Sequence, residues 1–345
     1  MDIRKLDNNN LTEYDNLVDN SNGGTIFHKS WWLSAFEDCY NNSYNVDFYG
    51  AFGDSGNLIS GLPVPTRRKF GIKHMFTPSL TPYVGPFYIP RIVDEKTSNE
   101  ITRKKNINKE FAKILGRLSC IYYPFHYSNI DLQPFKWCDF DVGVKYTYIL
   151  NLCDLDKVWK DMDRKRRNDI SRCIKQGYNT RLGEIDKFID LNRKTIERQN
   201  VEILSDKIWL KIFDICKKNN CCEIFTAYKD QIAVASVFIV WDNKRCYYLG
   251  SGIDNASEGA MSFVMWDAMK YTKEKLNLNE FDFTGSDTVG LEFFIRKFGG
   301  DIVPFFYISE NSIKKVVINK FMNLCNSLNK KIETRSITDN IKKRT

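Results

Sequence analysis

The spacing of apolar residues along the chain alternates between the helical period and the strand period. Phe27, Trp31 and Phe36 recur at near-helical intervals, whereas the run that ends at Phe52 is continuous and strand-like. A turn sequence at 54–57 separates that run from the next one, which predicts a β-hairpin. The elements predicted for the first part of the chain are a helix over 26–36, strands over 46–52 and 58–64, a helix over 98–118 and a strand over 121–127.

From about Val144 onward, helical patterns come first and strand-like runs follow. Asp154 is a plausible helix cap, and Gly177 ends a later helical pattern, because glycine favours the backbone conformation found at helix ends. The remaining predicted elements are helices over 186–199, 205–219, 258–275 and 289–298, and strands over 223–228, 232–241, 246–251, 281–283 and 302–308. This order predicts an α/β (α+β) fold with largely antiparallel sheets flanked by helices.

The length of 345 residues favours two domains. We expect a first half over 1–144, a second half over 145–310 and a basic C-terminal helix or tail over 311–345. Two hairpin sequences, YGAFGDSGNLIS and FTAYKDQIAVAS, agree at an alanine, an aspartate and a serine in the same register. Any two hairpins can agree at a few positions, so this similarity leaves both duplication and chance open.

The charge balance and the distribution of apolar residues, cysteines and histidines limit the classes of function that the chain can have. The chain carries 51 Lys and Arg against 43 Asp and Glu, and this mild positive excess suits an anionic ligand such as a nucleotide, CoA or tRNA. The N-terminal segment lacks the apolar core of a signal peptide, and the longest apolar run is about half of a membrane span, so we expect a cytoplasmic protein. Ten scattered cysteines and three histidines favour reduced thiols and no metal site.

The stretch EFDFTGSDTVGLEFFIRKFGGDIVPFF resembles the end of the GNAT (general N-acetyltransferase) domain found in the Fem family of peptidoglycan-bridge aminoacyltransferases and in its acyl-CoA-using relatives. The segments YTYILNL, RKRRNDISRCIKQGY and AVASVFIVWDNKRCYYLGSG resemble the entry and the central hairpin of the second domain of that family, and TPYVGPFY resembles a loop of the first. The resemblance implies two tandem GNAT-like halves, of which the second keeps the donor site.

A donor site is expected where a loop enters the helix predicted over 258–275. Free backbone amides at a helix N-terminus can hold a pyrophosphate, and small residues permit close approach. The candidate residues for binding acyl-CoA are Asn255, Ser257, Gly259, Ala260 and Ser262. The alternative is that Ser257 only caps the helix and Glu258 only complements its dipole.

Asp282 and Ser286 are the candidate catalytic residues. Asp282 alternates with Phe281 and Phe283, so it faces the opposite side of the sheet if the two aromatic side chains enter the core. A carboxylate there could orient or deprotonate an amine. The alternative is a structural carboxylate that is hydrogen-bonded to the turn at Gly285 and Ser286.

Candidate contacts to the acceptor are aromatic and basic. The alternative for the aromatic residues is core packing, and for the arginines a solvated surface. The Fem bridge-forming enzymes carry Phe-Lys where this chain has Phe294 and Ile295, so the expected lysine is missing. The candidate substrate-binding residues are Trp31, Tyr83, Arg164, Arg167 and Arg296.

Three functions follow from these features. The first is transfer of an acyl group from acyl-CoA to an amine of a small-molecule or nucleotide-linked acceptor, of the cell-envelope or amino-sugar type. The second is aminoacyl-tRNA-dependent transfer, which the missing lysine disfavours. The third is a binding module that has kept the fold and lost catalysis.

Overall fold

The computed structural model describes residues 1–40, 43–69, 72–119, 121–199, 203–254 and 259–310. The predicted C-terminal segment 311–345 lies outside these residues. None of the helices in the described part of the chain combines the length and the apolar character that crossing a bilayer requires.

A five-stranded sheet and its helices form the first part of the molecule. Its strands are β1 (Asp2–Lys5), β2 (Tyr44–Phe52), β3 (Leu58–Lys69), β4 (Ile72–Met75) and β5 (Phe87–Tyr88). The helices in this part are α1 (Leu11–Asn20), α2 (Ser30–Ser34), α3 (Thr97–Leu115) and α4 (Gln133–Lys136). The predicted hairpin is confirmed as β2–β3, and Gly56 in its turn has φ 78°, a left-handed conformation that glycine adopts without steric cost.

An eight-stranded mixed sheet forms the second part. Its strands are β6 (Tyr122–Pro124), β7 (Phe140–Asn151), β8 (Asn179–Leu182), β9 (Cys222–Lys229), β10 (Ile232–Trp241), β11 (Cys246–Ile253), β12 (Glu280–Asp282) and β13 (Asp301–Glu310). Their spatial order is β6-β13-β7-β12-β11-β10-β9-β8. The helices are α5 (Leu155–Asp161), α6 (Arg164–Lys175), α7 (Ile185–Gln199), α8 (Asp206–Lys218), α9 (Ala260–Glu274) and α10 (Val289–Ile295).

Two sequence expectations need correction. The continuous helix over 26–36 is wrong, because Lys29 has an extended backbone (ψ 138°) and separates a 3-10 turn over Ile26–His28 from α2. The strand expected to open near Val144 begins at Phe140 instead, since its first residues pair with β13. Residue 144 therefore lies inside a strand, and the division of the chain at that position stays a prediction.

The larger sheet is covered on both faces. One face packs under α9, and Phe281 and Phe283 belong to the core on that side. The opposite face packs against α7, α8 and the first half, where a second core cluster extends across both sheets. A sheet that is buried on both faces leaves its strand ends as the places for ligands.

Asp282 joins the two halves through a buried carboxylate. Its Oδ2 accepts a hydrogen bond from the Tyr83 hydroxyl at 3.0 Å, and its Oδ1 accepts one from the Thr147 hydroxyl at 2.8 Å. The backbone N–H of Thr284 donates to Oδ1 at 2.7 Å. Asp282, Tyr83 and Thr147 are all fully buried. Because a buried charge requires such partners, this network fixes the end of β12 against both β7 and the first half.

The turn between β10 and β11 makes a second connection. The ammonium group of Lys244 donates to the carbonyl oxygens of Val18, Ser21 and Gly24 at 2.6–3.0 Å. Asp242 accepts from the backbone N–H of Ile26 at 3.1 Å. The second half therefore holds the 18–26 segment of the first half by charged groups whose partners are mostly backbone atoms.

We predict that Tyr83→Phe destabilises the protein more than Tyr123→Phe. Both tyrosines are fully buried, but Tyr123 donates to the neutral carbonyl of Pro63, whereas Tyr83 donates to a carboxylate. A hydrogen bond to a charged group contributes about 1.5–3 kcal/mol and a neutral one about 0.5–1.5 kcal/mol. Urea unfolding of the two variants measures the difference, and equal losses would contradict the assigned network.

Lowering the pH to 5 is predicted to destabilise the protein through His28. Burial lowers the pKa of His28 to about 3, while the unfolded imidazole titrates near its ordinary value of 6.5. The unfolded state therefore binds more protons between these values, so stability decreases as the pH falls. Between pH 7 and 5 the loss from His28 is about 2 kcal/mol. In urea unfolding at both pH values, the decrease in the free energy of unfolding between pH 7 and 5 should be smaller in His28→Gln than in the wild type by this amount. The same pH dependence in both proteins would refute the assignment.

Candidate active site at the divergence of two parallel strands

Strands β11 and β12 run parallel and separate after a short contact. They pair only at Cys246 with Phe281 and at Tyr247 with Asp282. Beyond that point β11 continues to Ile253, paired with β10 and no longer with β12, and the chain after β12 turns toward β7. There the N–H of Phe283 donates to the carbonyl of Tyr148 at 3.1 Å. The gap between residues 248–253 and residues 283–286 is called the wedge below.

The wedge lies at the carboxyl ends of these two strands, where ligands commonly bind in sheets with parallel strands. Its apex is closed by a single bridge, in which the Thr284 hydroxyl donates to the carbonyl of Tyr248 at 2.7 Å. The Ser286 hydroxyl donates to the carbonyl of Tyr146 at 3.0 Å, on the opposite side. Ser286 is half-buried at this opening.

Asp282 lies at the base of the wedge and is closed off from solvent. Burial raises its pKa above the usual range, while the hydrogen bonds from Thr284, Thr147 and Tyr83 act in the opposite direction. Burial also raises the pKa of Tyr83 well above its ordinary value, so its hydroxyl stays protonated and donates. In this arrangement the carboxylate positions the strand ends and has no free path to a substrate.

The first turn of α9 follows β11 and borders the wedge. Gly259 precedes it with φ 90°, a conformation that a side chain would strain. A Cβ at this position would also lie 3.0 Å from the Cβ of Asp169 on α6. Ala260 and Ser262 are buried, and the Ser262 hydroxyl accepts from Arg166 at 3.1 Å. The expected contacts Asn255 and Ser257 fall outside the described residues.

Arg166 is a buried and incompletely paired cation beside this helix end. Its side chain is 14% exposed, and its guanidinium lies 4.3 Å from the ring centroid of Phe294 on α10. Asp169 is 3.7 Å away, but that carboxylate also pairs with Arg172 at 3.0 Å. The Nε of Arg166 is buried and has no hydrogen-bond partner among the residues that the structure describes. A helix N-terminus with such a cation favours an anion.

Tyr148 and Glu292 form a second polar pair near the wedge. Tyr148 on β7 donates its hydroxyl to Oε1 of Glu292 on α10 at 2.7 Å. The Glu292 side chain is 29% exposed, and Arg296 lies 3.8 Å from it. Burial and the Glu292 charge raise the pKa of Tyr148. Glu292 is thus a carboxylate that solvent reaches, in contrast to Asp282.

The structure brings together some of the predicted residues and separates others. Tyr83 contacts Asp282, and its ring is fully buried among other aromatic residues. Trp31 is half-buried and lines a different cavity. Arg164 and Arg296 are exposed, and Arg167 donates to the carbonyl of Lys160 at 3.3 Å.

Two further expectations concern metal ions and position 295. No group of His, Cys, Asp or Glu side chains suited to a metal ion occurs within the described ranges. Ile295, at the position of the lysine of the Fem bridge-forming enzymes, is fully buried in the core beneath α9. Position 295 therefore holds a buried apolar side chain, and a lysine there would need a partner for its buried charge.

Sequence reasoning missed Arg166, Tyr148 and Glu292. The basic run 164–167 indicated that some of its side chains could bind an anion. Four consecutive helical positions point in different directions, so only some of them can face a ligand. Which one turns inward depends on the packing of α6 against α9. Tyr148 and Glu292 are 144 residues apart and gave no local signal.

Comparison with known proteins finds one matching family model. Residues 164–293 match the family model described as acetyltransferase (GNAT) domain. This range contains α6, the strands of the wedge, α9 and most of α10. A search of curated proteins finds no match.

Solved structures show the same overall fold. The structure of FemX has a TM-score of 0.69 at 14% identity over 92% of this chain and 100% of that chain. The C-terminal domain of a putative lysylphosphatidylglycerol synthetase from Agrobacterium fabrum has a TM-score of 0.56 at 10% identity, covering 91% of this chain and 96% of that one. A tandem GNAT protein from the clavulanic acid biosynthesis pathway has a TM-score of 0.51 at 7% identity, covering 90% and 98%.

At these identities the structural likeness establishes the fold, and the family model shows a similarity confined to residues 164–293. The expected fold of two tandem GNAT-like halves is confirmed, as is the resemblance on which it was based. Residues 164–293 are therefore similar to the GNAT acetyltransferase domain, and the chain has a tandem GNAT fold of the kind seen in FemX.

Proposed function

We propose that the protein transfers an acyl group from acyl-CoA to an amine on a cell-envelope or amino-sugar type acceptor, in the cytoplasm. The observation that carries the proposal is the incompletely paired Arg166 beside the first turn of α9. An acyl-CoA is an anionic donor, and its diphosphate suits a helix N-terminus supported by a guanidinium.

The donor contacts follow from this placement. We propose that Asn255, Ser257, Gly259 and Ala260, which precede or begin α9 in the sequence, bind the diphosphate. Ser262 contributes indirectly, because its hydroxyl holds the guanidinium of Arg166. The pantetheine arm would enter the wedge, where residues 248–253 of β11 have no partner from β12.

The chemistry requires that an amine loses a proton as it attacks the thioester. The nitrogen forms a bond to the acyl carbon, and the carbon–sulfur bond then breaks to release CoA as a thiolate. We propose that the Tyr148 hydroxyl takes the amine proton and passes its own to Glu292, since it already donates to that carboxylate at 2.7 Å. Asp282 acts as a positioning residue in this scheme, and Ser286 provides a hydroxyl at the opening.

The acceptor contacts proposed from the sequence lie at the edges of this region. Arg164 and Arg296 are exposed cations, and Arg167 is half-buried on the same helix as Arg164. They suit an anionic group on a nucleotide-linked acceptor. Tyr83 acts through Asp282 instead of touching the acceptor.

Aminoacyl-tRNA-dependent transfer is the alternative donor chemistry. The fully buried Ile295 weighs against it, because the lysine of the Fem bridge-forming enzymes has no counterpart at this position. A binding module without catalysis would bind the donor and fail to transfer the acyl group, so binding and turnover need separate measurements.

Acetyl-CoA is predicted to raise the unfolding temperature of the full chain, and charged tRNA is not. Arg166→Ala should weaken acetyl-CoA binding about tenfold or more, because the variant loses a charge-assisted contact to the diphosphate. Arg164→Ala is the matched control on the same helix, since Arg164 is exposed. Stabilisation by charged tRNA alone, or equal binding by both variants, would contradict the proposal.

Glu292→Gln is predicted to lower kcat for acetyl transfer to a panel of amino sugars by about 10²-fold. The KM for acetyl-CoA should stay unchanged, because Glu292 is assigned to proton transfer and not to donor binding. Glu184→Gln provides a matched control, since Glu184 accepts from the hydroxyl of Tyr228 at 2.8 Å in a similar pair elsewhere in the fold. Mass spectrometry of the acetylated product measures the rate, and equal rates for both variants would exclude Glu292 as the proton acceptor.

A further inference from the structure

A cavity of about 530 Å³ lies between the two halves, apart from the wedge. It is lined by the 3-10 turn and α2 region of the first half, the ends of α8 and β10, and the loop before β12. Its polar and aromatic lining includes Trp31, Trp241, Asn220, Asn277, Asp19 and Lys29. These elements meet at the amino ends of β11 and β12, whereas the wedge opens at the carboxyl ends.

The walls of this cavity are fixed by the connection between the halves. Asp242 at its rim accepts hydrogen bonds from the backbone N–H groups of Ile26, Lys244 and Arg245 and from the Tyr247 hydroxyl, at 2.7–3.1 Å. Lys244 holds three carbonyl oxygens of the first half. A cavity built across such a network keeps its shape before a ligand arrives.

The charged groups in the cavity are already neutralised or engaged. Lys29 pairs with Asp19 at 2.6 Å and also donates to the carbonyl of Asp15 at 2.9 Å. Asp242 has the four donors described above. Among the described lining residues, Lys29 is the cation and it is already paired, so they offer an anionic ligand little.

The remaining groups are two indole rings and uncharged amides. Trp31 and Trp241 are both half-buried, one from each half of the molecule. The indole N–H groups and the side-chain amides of Asn220 and Asn277 make no hydrogen bond to any residue that the structure describes. Asn220 and Asn277 have φ of 51° and 55°, a left-handed backbone that asparagine tolerates, and both line the cavity.

We infer that this cavity is a binding site for an uncharged saccharide. The apolar face of a sugar ring packs against an indole, and its hydroxyl groups exchange hydrogen bonds with amides and indole N–H groups. The volume falls in the range of small-molecule sites. The inference does not depend on the acyl donor, because these residues lie toward the C-terminal end of α9 and away from its first turn; Trp241, for example, contacts Tyr271 in the last turns of that helix.

The test is a titration of the full chain with chitobiose, cellobiose and maltose in the absence of CoA. Tryptophan fluorescence and calorimetry measure the binding. At least one disaccharide should bind saturably below about 10 mM. Trp31→Ala and Trp241→Ala should each weaken that binding about tenfold or more. Trp137→Ala is the matched control, because Trp137 is 55% exposed and is absent from the cavity lining.

Two further variants keep the test decisive. Asn277→Asp tolerates the left-handed backbone and removes the amide donor, so it should weaken binding even if a tryptophan variant fails to fold. Arg166→Ala should leave saccharide binding unchanged, which separates this site from the proposed donor site. Absence of saturable binding for all three sugars, or equal affinity in Trp31→Ala, Trp241→Ala and Trp137→Ala, would overturn the inference.

Discussion

The buried carboxylate of Asp282 is the constraint on which the rest of the site depends. A carboxylate without solvent must be given donors, and here they come from the first half, from β7 and from the chain directly after β12. Satisfying them draws the end of β12 toward β7 and the first half. Because β11 continues in its own direction, the two parallel strands separate at this point, and the separation creates the wedge.

Because Asp282 is buried, the polar residues of this region have different roles. Asp282 and Tyr83 hold the strand ends, while solvent-accessible Glu292 and incompletely paired Arg166 border the open region. The cation proposed to bind the anionic donor, Arg166, therefore lies on α6. The proposed proton acceptor, Glu292, lies on α10. The first half supports the site through Tyr83 and through its backbone contacts with the β10–β11 turn.

The sequence predicted much of the fold because its elements are local. The alternation around Asp282 correctly placed Phe281 and Phe283 in the core and Asp282 on the opposite face, and the hairpins followed from turn residues. The donors to Asp282 could not be predicted, since Tyr83 and Thr147 are 199 and 135 residues away. Likewise, the pairing of β6 with β13 and the inward orientation of Arg166 depend on packing between distant segments.

The most direct measurement of the central claim is a crystal structure of the full chain grown with CoA. The account predicts density for the pantetheine arm in the gap between residues 248–253 and 283–286. It also predicts the diphosphate within about 3.5 Å of the Arg166 guanidinium. CoA bound elsewhere on the chain, or a gap that stays closed while CoA is bound, would contradict it.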